Sequence, residues 1–89
     1  MPTSSETLVL LPADVDLHAR PAATFVRAAM RFESRITIAS DGREADAKSL
    51  LAILALGAKR GTELRLAADG DDAETAVEAL AGLVVNLSE

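Results

Sequence analysis

One histidine and one arginine, separated by a single residue, are the side chains of this sequence best suited to chemistry. The stretch DLHARPAATFV, residues 16–26, contains His18, the only histidine of the 89-residue chain, and Arg20 two positions later. An imidazole can act as a nucleophile near neutral pH, and a guanidinium presents a planar fork of donors that suits phosphate oxygens. A lone histidine is commonly a surface or core residue without chemistry, so its position must decide between these readings.

The residues after His18 predict a helix that begins at Ala19 or Arg20 and ends near Arg31. Apolar residues recur there at three- and four-residue spacing, and Pro21 suits the first turn, where its missing N–H removes no helical bond. The apolar stripe consists of Ala22, Phe25, Val26 and Ala29. The first peptide N–H groups of a helix attract anions, so a nucleophilic imidazole at this end is well placed to hold a phosphoryl group.

Composition excludes several other functions. The chain has a formal charge of −5 and only 2% aromatic residues, whereas nucleic-acid binding favours a basic surface and stacking rings. It contains no cysteine, so disulfides and thiolate metal sites are excluded, and one histidine with scattered carboxylates is a poor metal ligand set. We therefore expect no metal, no cofactor, no nucleic acid partner and no membrane insertion, and a cytoplasmic location by default.

Hydrophobic patterning predicts four strands and three helices in a single domain, residues 1–89. We expect strands over 7–13, 35–40, 43–45 and 62–68, a hairpin turn at Asp41-Gly42, and helices near 19–31, over 47–57 and at the carboxyl end. Ser49 and Gly57 are suited to begin and end the second helix, and Asp71 and Glu74 have the spacing of a capping box for the third. This order indicates an α+β fold with helices on one face of an antiparallel sheet.

Three segments resemble HPr, the histidine-containing phosphocarrier family of the bacterial phosphoenolpyruvate-dependent sugar phosphotransferase system (PTS). LHARPAATFV is similar to that family's active-site segment, ADAKSLLAILALGAKRGTEL to its second signature, and AADGDDAETAVEAL to its last strand and helix. The resemblance covers nearly the whole chain with consistent spacing. It implies an open-faced β-sandwich in the order βαββαβα.

The resemblance also implies residue roles. His18 would be phosphorylated on Nδ1 by the phosphohistidine of enzyme I, Arg20 would neutralise the phosphoryl oxygens, and the backbone amide of Ala19 would receive them. The group would then pass to a IIA-type sugar-permease domain. Such a protein is a phosphoryl relay with a transient phosphohistidine and is not an enzyme.

A partner surface is implied next to the histidine. On the second helix, Leu50, Leu51 and Leu54 form a stripe separate from Ile53 and Leu56. The family uses the first stripe for docking, with Ala23 and Arg27 at its edge, although all five residues could equally belong to the core.

Ser49 allows two roles. It can cap the second helix. The matching serine of many HPr proteins is phosphorylated by an ATP-dependent kinase, so the resemblance also implies a serine kinase/phosphorylase and a transcriptional regulator as partners.

The alternatives to a sugar-transport carrier are an HPr-like paralogue for nitrogen regulation or for a dihydroxyacetone kinase, and a regulatory module that signals through Ser49.

Two features depart from the family. Asp16 stands where glycine is common. We expect Asp16 to preserve the turn by adopting a left-handed backbone conformation. We also expect its negative charge to make the phosphohistidine less stable or slower to form. In the first strand, Leu8 and Leu10 alternate with Val9 and Leu11, so one pair should face outward on an open sheet. Dimerisation or descent from a multidomain phosphotransferase protein would explain that pair.

Overall fold

A computed structural model describes residues 3–88, which form one four-stranded sheet and three helices. The elements, in chain order, are β1 (Ser4–Leu10), α1 (Ala19–Ala29), β2 (Arg35–Ser40), β3 (Arg43–Asp46), α2 (Leu50–Leu56), β4 (Glu63–Asp69) and α3 (Ala73–Val85). The order βαββαβα is the one expected from the sequence.

The sheet is antiparallel throughout, in the spatial order β1-β4-β2-β3. Strand β4 lies between β1 and β2, paired along its whole length with β1 from Ser4↔Asp69 to Leu10↔Glu63. Because consecutive side chains of a strand point to opposite sides, this register gives the sheet one buried face and one open face.

The buried face and the three helices enclose a single core. Ile36 and Ile38 of β2 and Leu64 and Leu66 of β4 are fully buried, and so is Phe25 of α1. On the open face Leu8 and Leu10 are 57% and 59% exposed, so the expectation that one pair of β1 faces outward is confirmed. The fold is the expected α+β open-faced sandwich.

Local signals near the middle of the chain give the predicted turn and a helix shorter than predicted, since α2 spans Leu50–Leu56 and not 47–57. Asp41 and Gly42 both have positive φ, 51° and 79°, and join β2 to β3 in the two-residue hairpin favoured by Asp-Gly. The Ser49 hydroxyl accepts a hydrogen bond from the Ala52 amide at the start of α2, and Gly57 ends the helix in the left-handed conformation.

The bounds of the first strand differ from the prediction. β1 spans Ser4–Leu10, three residues earlier than the predicted 7–13. Its polar first residues pair with β4 up to Asp69, and this pairing outweighs their weak strand propensity. After Leu10 the chain turns towards the segment that precedes β4, where the Leu11 amide donates to the Thr62 carbonyl (3.0 Å).

The predicted capping box of the last helix is wrong. The N-cap of α3 is Asp72, not Asp71, and its carboxylate makes no side-chain cap bond. That carboxylate instead accepts hydrogen bonds from the Glu33 amide (2.9 Å) and from the Ser34 amide (2.9 Å) and hydroxyl. A tertiary contact to the segment before β2 thus replaces the local motif, which no pattern of neighbouring residues could indicate.

Between residues 3 and 88, no helix has the length and apolar character required to cross a membrane.

Candidate functional site

His18 lies at the beginning of α1, exposed to solvent. It is the N-cap residue, with extended backbone (φ −107°, ψ −161°), and its side chain makes no cap hydrogen bond to the helix. Its carbonyl accepts the first helical bond, from the Ala22 amide at 2.8 Å. His18 therefore stands where the backbone changes from loop to helix.

The residues after His18 form the first turn of α1. Ala19 and Arg20 are exposed, whereas Pro21 and Ala22 are buried. The amides of Ala19 and Arg20 precede the first helical hydrogen bond, so they belong to the helix end that carries partial positive charge. The structure thus brings an imidazole, a guanidinium-bearing residue and helix-end amides together within one turn, as the sequence predicts.

A buried anchor on the other side holds the histidine loop in place. Leu17 is 2% exposed and Val15 is 1% exposed, and the Leu17 amide donates to the Ala58 carbonyl at 3.0 Å. Since His18 follows this anchor directly, its backbone is positioned by the loop that connects α2 to β4.

Asp16 does not adopt the left-handed conformation that we expected. Among residues 3–88, the only non-glycine residue with positive φ is Asp41. Asp16 instead fixes the loop by hydrogen bonding: its carbonyl accepts from the His18 amide (2.9 Å), and its carboxylate accepts from Arg60. The turn before His18 therefore needs no glycine-like backbone.

Arg60 is the site residue that sequence reasoning missed. Its amide donates to Oδ1 of Asp16 at 2.8 Å, while Nη2 of its guanidinium lies 3.1 Å from Oδ2. The hydrogen bond from the Arg60 side chain is the largest of the causes that lower the pKa of Asp16 to about 2. The sequence signal was weak, because the two residues are far apart in the chain and their pairing depends on how two loops meet.

The leucine stripe of α2 is exposed, as the first of the two readings predicted. Leu51 is 81% exposed and Leu50 and Leu54 are 39% and 37% exposed, whereas Ile53 and Leu56 are buried. The alternative that all five belong to the core is therefore wrong.

Helix α2 packs against α1, where Ala23 is half-buried and Arg27 is exposed. The helix that carries the exposed leucines, α2, is thus a direct neighbour of α1.

Ser49 is half-buried at the N-terminus of α2. Its hydroxyl accepts from the Ala52 amide at 3.2 Å, and its own amide donates to the Asp46 carbonyl at 3.0 Å. Beside it, Nζ of Lys48 donates to the Phe32 carbonyl at 2.6 Å. The cap role of Ser49 is thereby observed directly.

Over the described part of the chain, no group of three or more histidine, cysteine, aspartate or glutamate residues is placed to hold a metal ion. The chemistry available at His18 is that of an imidazole, an arginine and backbone amides.

Comparison with known proteins agrees with this geometry. Residues 6–86 match the family described as "PTS HPr component phosphorylation site". The phosphocarrier protein HPr of Streptomyces coelicolor is 54% identical over 69 residues, which cover 76% of this chain and 74% of the relative. That of Haemophilus influenzae is 48% identical over 71 residues, which cover 80% and 84%.

A solved structure gives the same result. The crystal structure of the phosphocarrier protein HPr from Bacillus anthracis superimposes with a TM-score of 0.86 at 40% identity, covering 91% of this chain and 96% of that one. The fold, the helix-end histidine and the likeness of sequence along most of the chain lead to one conclusion. The chain belongs to the HPr family of phosphocarriers of the phosphotransferase system.

Proposed function

We propose that this chain accepts a phosphoryl group on His18 from phosphorylated enzyme I and passes it to a IIA-type permease domain. The observation that carries the proposal is the exposed position of His18 as the N-cap of α1 in a chain of the HPr family. A carrier must meet a donor and an acceptor in turn, and a shallow, exposed site suits both encounters.

The chemistry requires little beyond positioning and charge stabilisation. A ring nitrogen of neutral His18, Nδ1 by resemblance to the family, attacks the phosphorus as the phosphorus–nitrogen bond of the donor phosphohistidine breaks. The donor imidazole leaves with the electron pair of that bond. Transfer to a histidine of the IIA-type domain repeats the exchange and returns His18 to its unphosphorylated form.

Two groups next to His18 are suited to the oxygens of the moving group. Arg20 supplies a permanent positive charge and several donors, and the Ala19 amide belongs to the positive end of α1. Helix-end stabilisation of about 0.3–1 kcal/mol is modest, so the phosphohistidine would be held without becoming inert.

The exposed leucines of α2, with Ala23 and Arg27 of α1, form the proposed docking surface for both partners. Leu51 is the most exposed of the described large apolar side chains at 81%, and a cluster of exposed apolar residues commonly marks an interaction site.

Ser49 begins the same helix. A phosphoryl group there would add a charge of about −1.5 to −2 beside Leu50 and Leu51 and would disfavour apolar docking, so we include a serine kinase and a transcriptional regulator as proposed partners.

The alternative readings receive less support. The two curated relatives described above are both called phosphocarrier protein HPr, and nothing in the geometry favours a nitrogen-regulation or dihydroxyacetone-kinase paralogue.

Phosphorylation by enzyme I tests the relay. Incubation with phosphoenolpyruvate, Mg²⁺ and enzyme I should add one phosphoryl group by intact mass, which is lost in mild acid. His18→Ala should accept none. Arg20→Ala should accept the group more slowly and keep its fold. Addition of the same group to His18→Ala would place the acceptor elsewhere.

Substitution of one exposed leucine tests the docking surface. Leu51→Glu should raise the KM of enzyme I for this protein about tenfold, the equivalent of about 1.4 kcal/mol. The kcat of enzyme I and the thermal stability of the variant should be nearly unchanged. Leu8→Glu is the matched control, since Leu8 is also an exposed leucine but lies on the open face of the sheet. Equal effects of the two substitutions would argue against a localised surface on α2.

A further inference from the structure

The loop before α1 and the loop between α2 and β4 are fastened to each other along their length. Three backbone hydrogen bonds of 3.0–3.1 Å join them: Leu11 N to Thr62 O, Gly61 N to Pro12 O, and Leu17 N to Ala58 O. The side chain of Asp16 adds a fourth connection, to Arg60. The segment that carries His18 is therefore positioned by a second loop that has no place in the proposed relay.

Asp16 and Arg60 form a well-defined pair. Oδ1 of Asp16 accepts from the Arg60 amide (2.8 Å) and from Nε (3.3 Å), and Oδ2 accepts from Nη2 (3.1 Å). Because the backbone bond already places residue 60 against the carboxylate, the guanidinium loses little additional freedom in joining it. The pair lies at the surface, with the Arg60 and Asp16 side chains 60% and 28% exposed, and the bond from the Arg60 amide adds a contact that an ion pair alone lacks.

The pair acts next to the phosphoryl-accepting residue. The carbonyl of Asp16 holds the His18 amide at 2.9 Å, while its carboxylate carries a full negative charge near neutral pH. A carboxylate two residues from His18 would repel an approaching phosphoryl group. The Arg60 guanidinium offsets that charge where it arises.

We propose that Arg60 is a positioning residue for phosphoryl transfer at His18 that acts through Asp16, offsetting a carboxylate that would otherwise oppose the phosphoryl group. This inference rests on the function proposed above and extends it. It has a distinctive consequence: Arg60 is needed only while residue 16 is an aspartate.

A double-mutant cycle tests that dependence with Asp16→Gly, Arg60→Ala and the two combined. The first readout is the rate of phosphoryl acceptance from enzyme I. The second is the hydrolysis half-life of phosphohistidine made with potassium phosphoramidate, in which the phosphoryl group moves from the amide nitrogen to the imidazole and ammonia leaves. Because the chain has one histidine, the second readout reports on His18 without any partner protein.

Arg60→Ala should slow acceptance and shorten the half-life by about three- to tenfold, an effect of the order that one uncompensated charge near a protein surface can have. Asp16→Gly and the double variant should both stay within about twofold of the parent chain. This revises the expectation from the sequence alone that the Asp16 charge makes the phosphohistidine less stable or slower to form, because Arg60 is bound to that carboxylate. Arg60→Lys should recover part of the loss, and added salt should narrow the defect of Arg60→Ala by screening the carboxylate.

Lys59→Ala is the matched control, since it removes an exposed neighbouring cation and should leave both readouts within about twofold. Two outcomes would overturn the inference: Arg60→Ala without effect on rate and half-life, or a double variant as impaired as Arg60→Ala alone. If the parent chain accepts no group from enzyme I, the relay fails, while the half-lives of the chemically phosphorylated variants still decide the role of Arg60.

Discussion

At the scale of single residues, Gly70 shows how closely two segments of the backbone approach at the end of the sheet. It follows β4 with φ +150°, and a Cβ built on it would lie 2.6 Å from Oγ and 2.8 Å from Cα of Ser34. Ser34 is 1% exposed, and its amide and hydroxyl both donate hydrogen bonds to the Asp72 carboxylate. A side chain at position 70 would therefore have to displace backbone as well as a hydroxyl.

Alanine substitutions at two glycines should act in opposite directions. We expect Gly70→Ala to lower the free energy of unfolding by about 2 kcal/mol or more, through strain and displacement of Ser34. Gly82→Ala, in the middle of α3 with no atom within 4 Å of the added Cβ, should raise it by about 0.5–1 kcal/mol. Urea denaturation of both variants measures the difference, and a neutral Gly70→Ala would contradict the close approach.

At the scale of elements, α2 depends on its ends and on its packing. It has only seven residues, Leu50–Leu56, and a helix this short is not stable alone in water. Ser49 supplies a hydrogen bond at the start, Gly57 the left-handed ending, and Ile53 and Leu56 the buried side. The same few residues therefore hold the exposed leucines in their places.

Loss of the α2 cap should be measurable as stability. Ser49→Ala should lower the free energy of unfolding by about 1 kcal/mol, because the Ala52 amide loses its partner. Ser49→Asp should keep most of that stability, since aspartate is an equally good cap and its charge suits the N-terminus of a helix. Chemical denaturation measures both, and equal losses in the two variants would show that the cap bond contributes little.

Sequence reasoning succeeded at three places where the signal was local, although the equally local capping-box signal of Asp71 and Glu74 was misleading. The Asp41-Gly42 turn, the Ser49 cap and the stripe of Phe25 and Val26 all rest on neighbours within a few positions, and each is observed. The polar start of β1 could not be predicted, because it becomes a strand only by pairing with β4.

The candidate site was likewise predictable only where its signal was local. The helix that begins after His18 was evident from its own segment. The ion pair of Asp16 with Arg60 joins residues that are distant in sequence, as does the hydrogen bond from Ser34 to Asp72 elsewhere in the fold. Such contacts are determined only when the fold brings two segments together.

At the scale of the whole molecule, two aspartates fasten distant segments of the chain. Asp16 joins the loop before α1 to the loop before β4, and Asp72 joins the start of α3 to the segment before β2. The pKa of Asp16 is lowered to about 2, chiefly by the Arg60 hydrogen bond. The pKa of Asp72 is also lowered, chiefly by the Ser34 hydroxyl.

Both shifts predict a loss of stability in acid. Each folded-state pKa lies below the ordinary value of 3.8, so each carboxylate stabilises the fold above that pH. This contribution is lost as the pH falls through the lowered pKa, which for Asp16 is about 2. The free energy of unfolding should therefore decline from about pH 5 downwards. In Asp16→Asn/Asp72→Asn the protein should be less stable at neutral pH and the decline shallower.

Urea midpoints at several pH values measure that decline. Asp14→Asn, which removes an exposed carboxylate of the same loop, is the control and should keep the parent's pH dependence. An unchanged slope in the double variant would mean that other groups govern the acid response.

The place of β4 between β1 and β2 also has a consequence for synthesis. Among the seven elements of residues 3–88, strand β1 comes first and its partner β4 comes sixth. On the ribosome β1 emerges with no strand to pair with, and only the β2–β3 hairpin can form early from neighbours in the chain. Such distant pairing slows folding relative to contacts between neighbours in the chain. The nascent chain is thus expected to close this sheet only after β4 has left the exit tunnel.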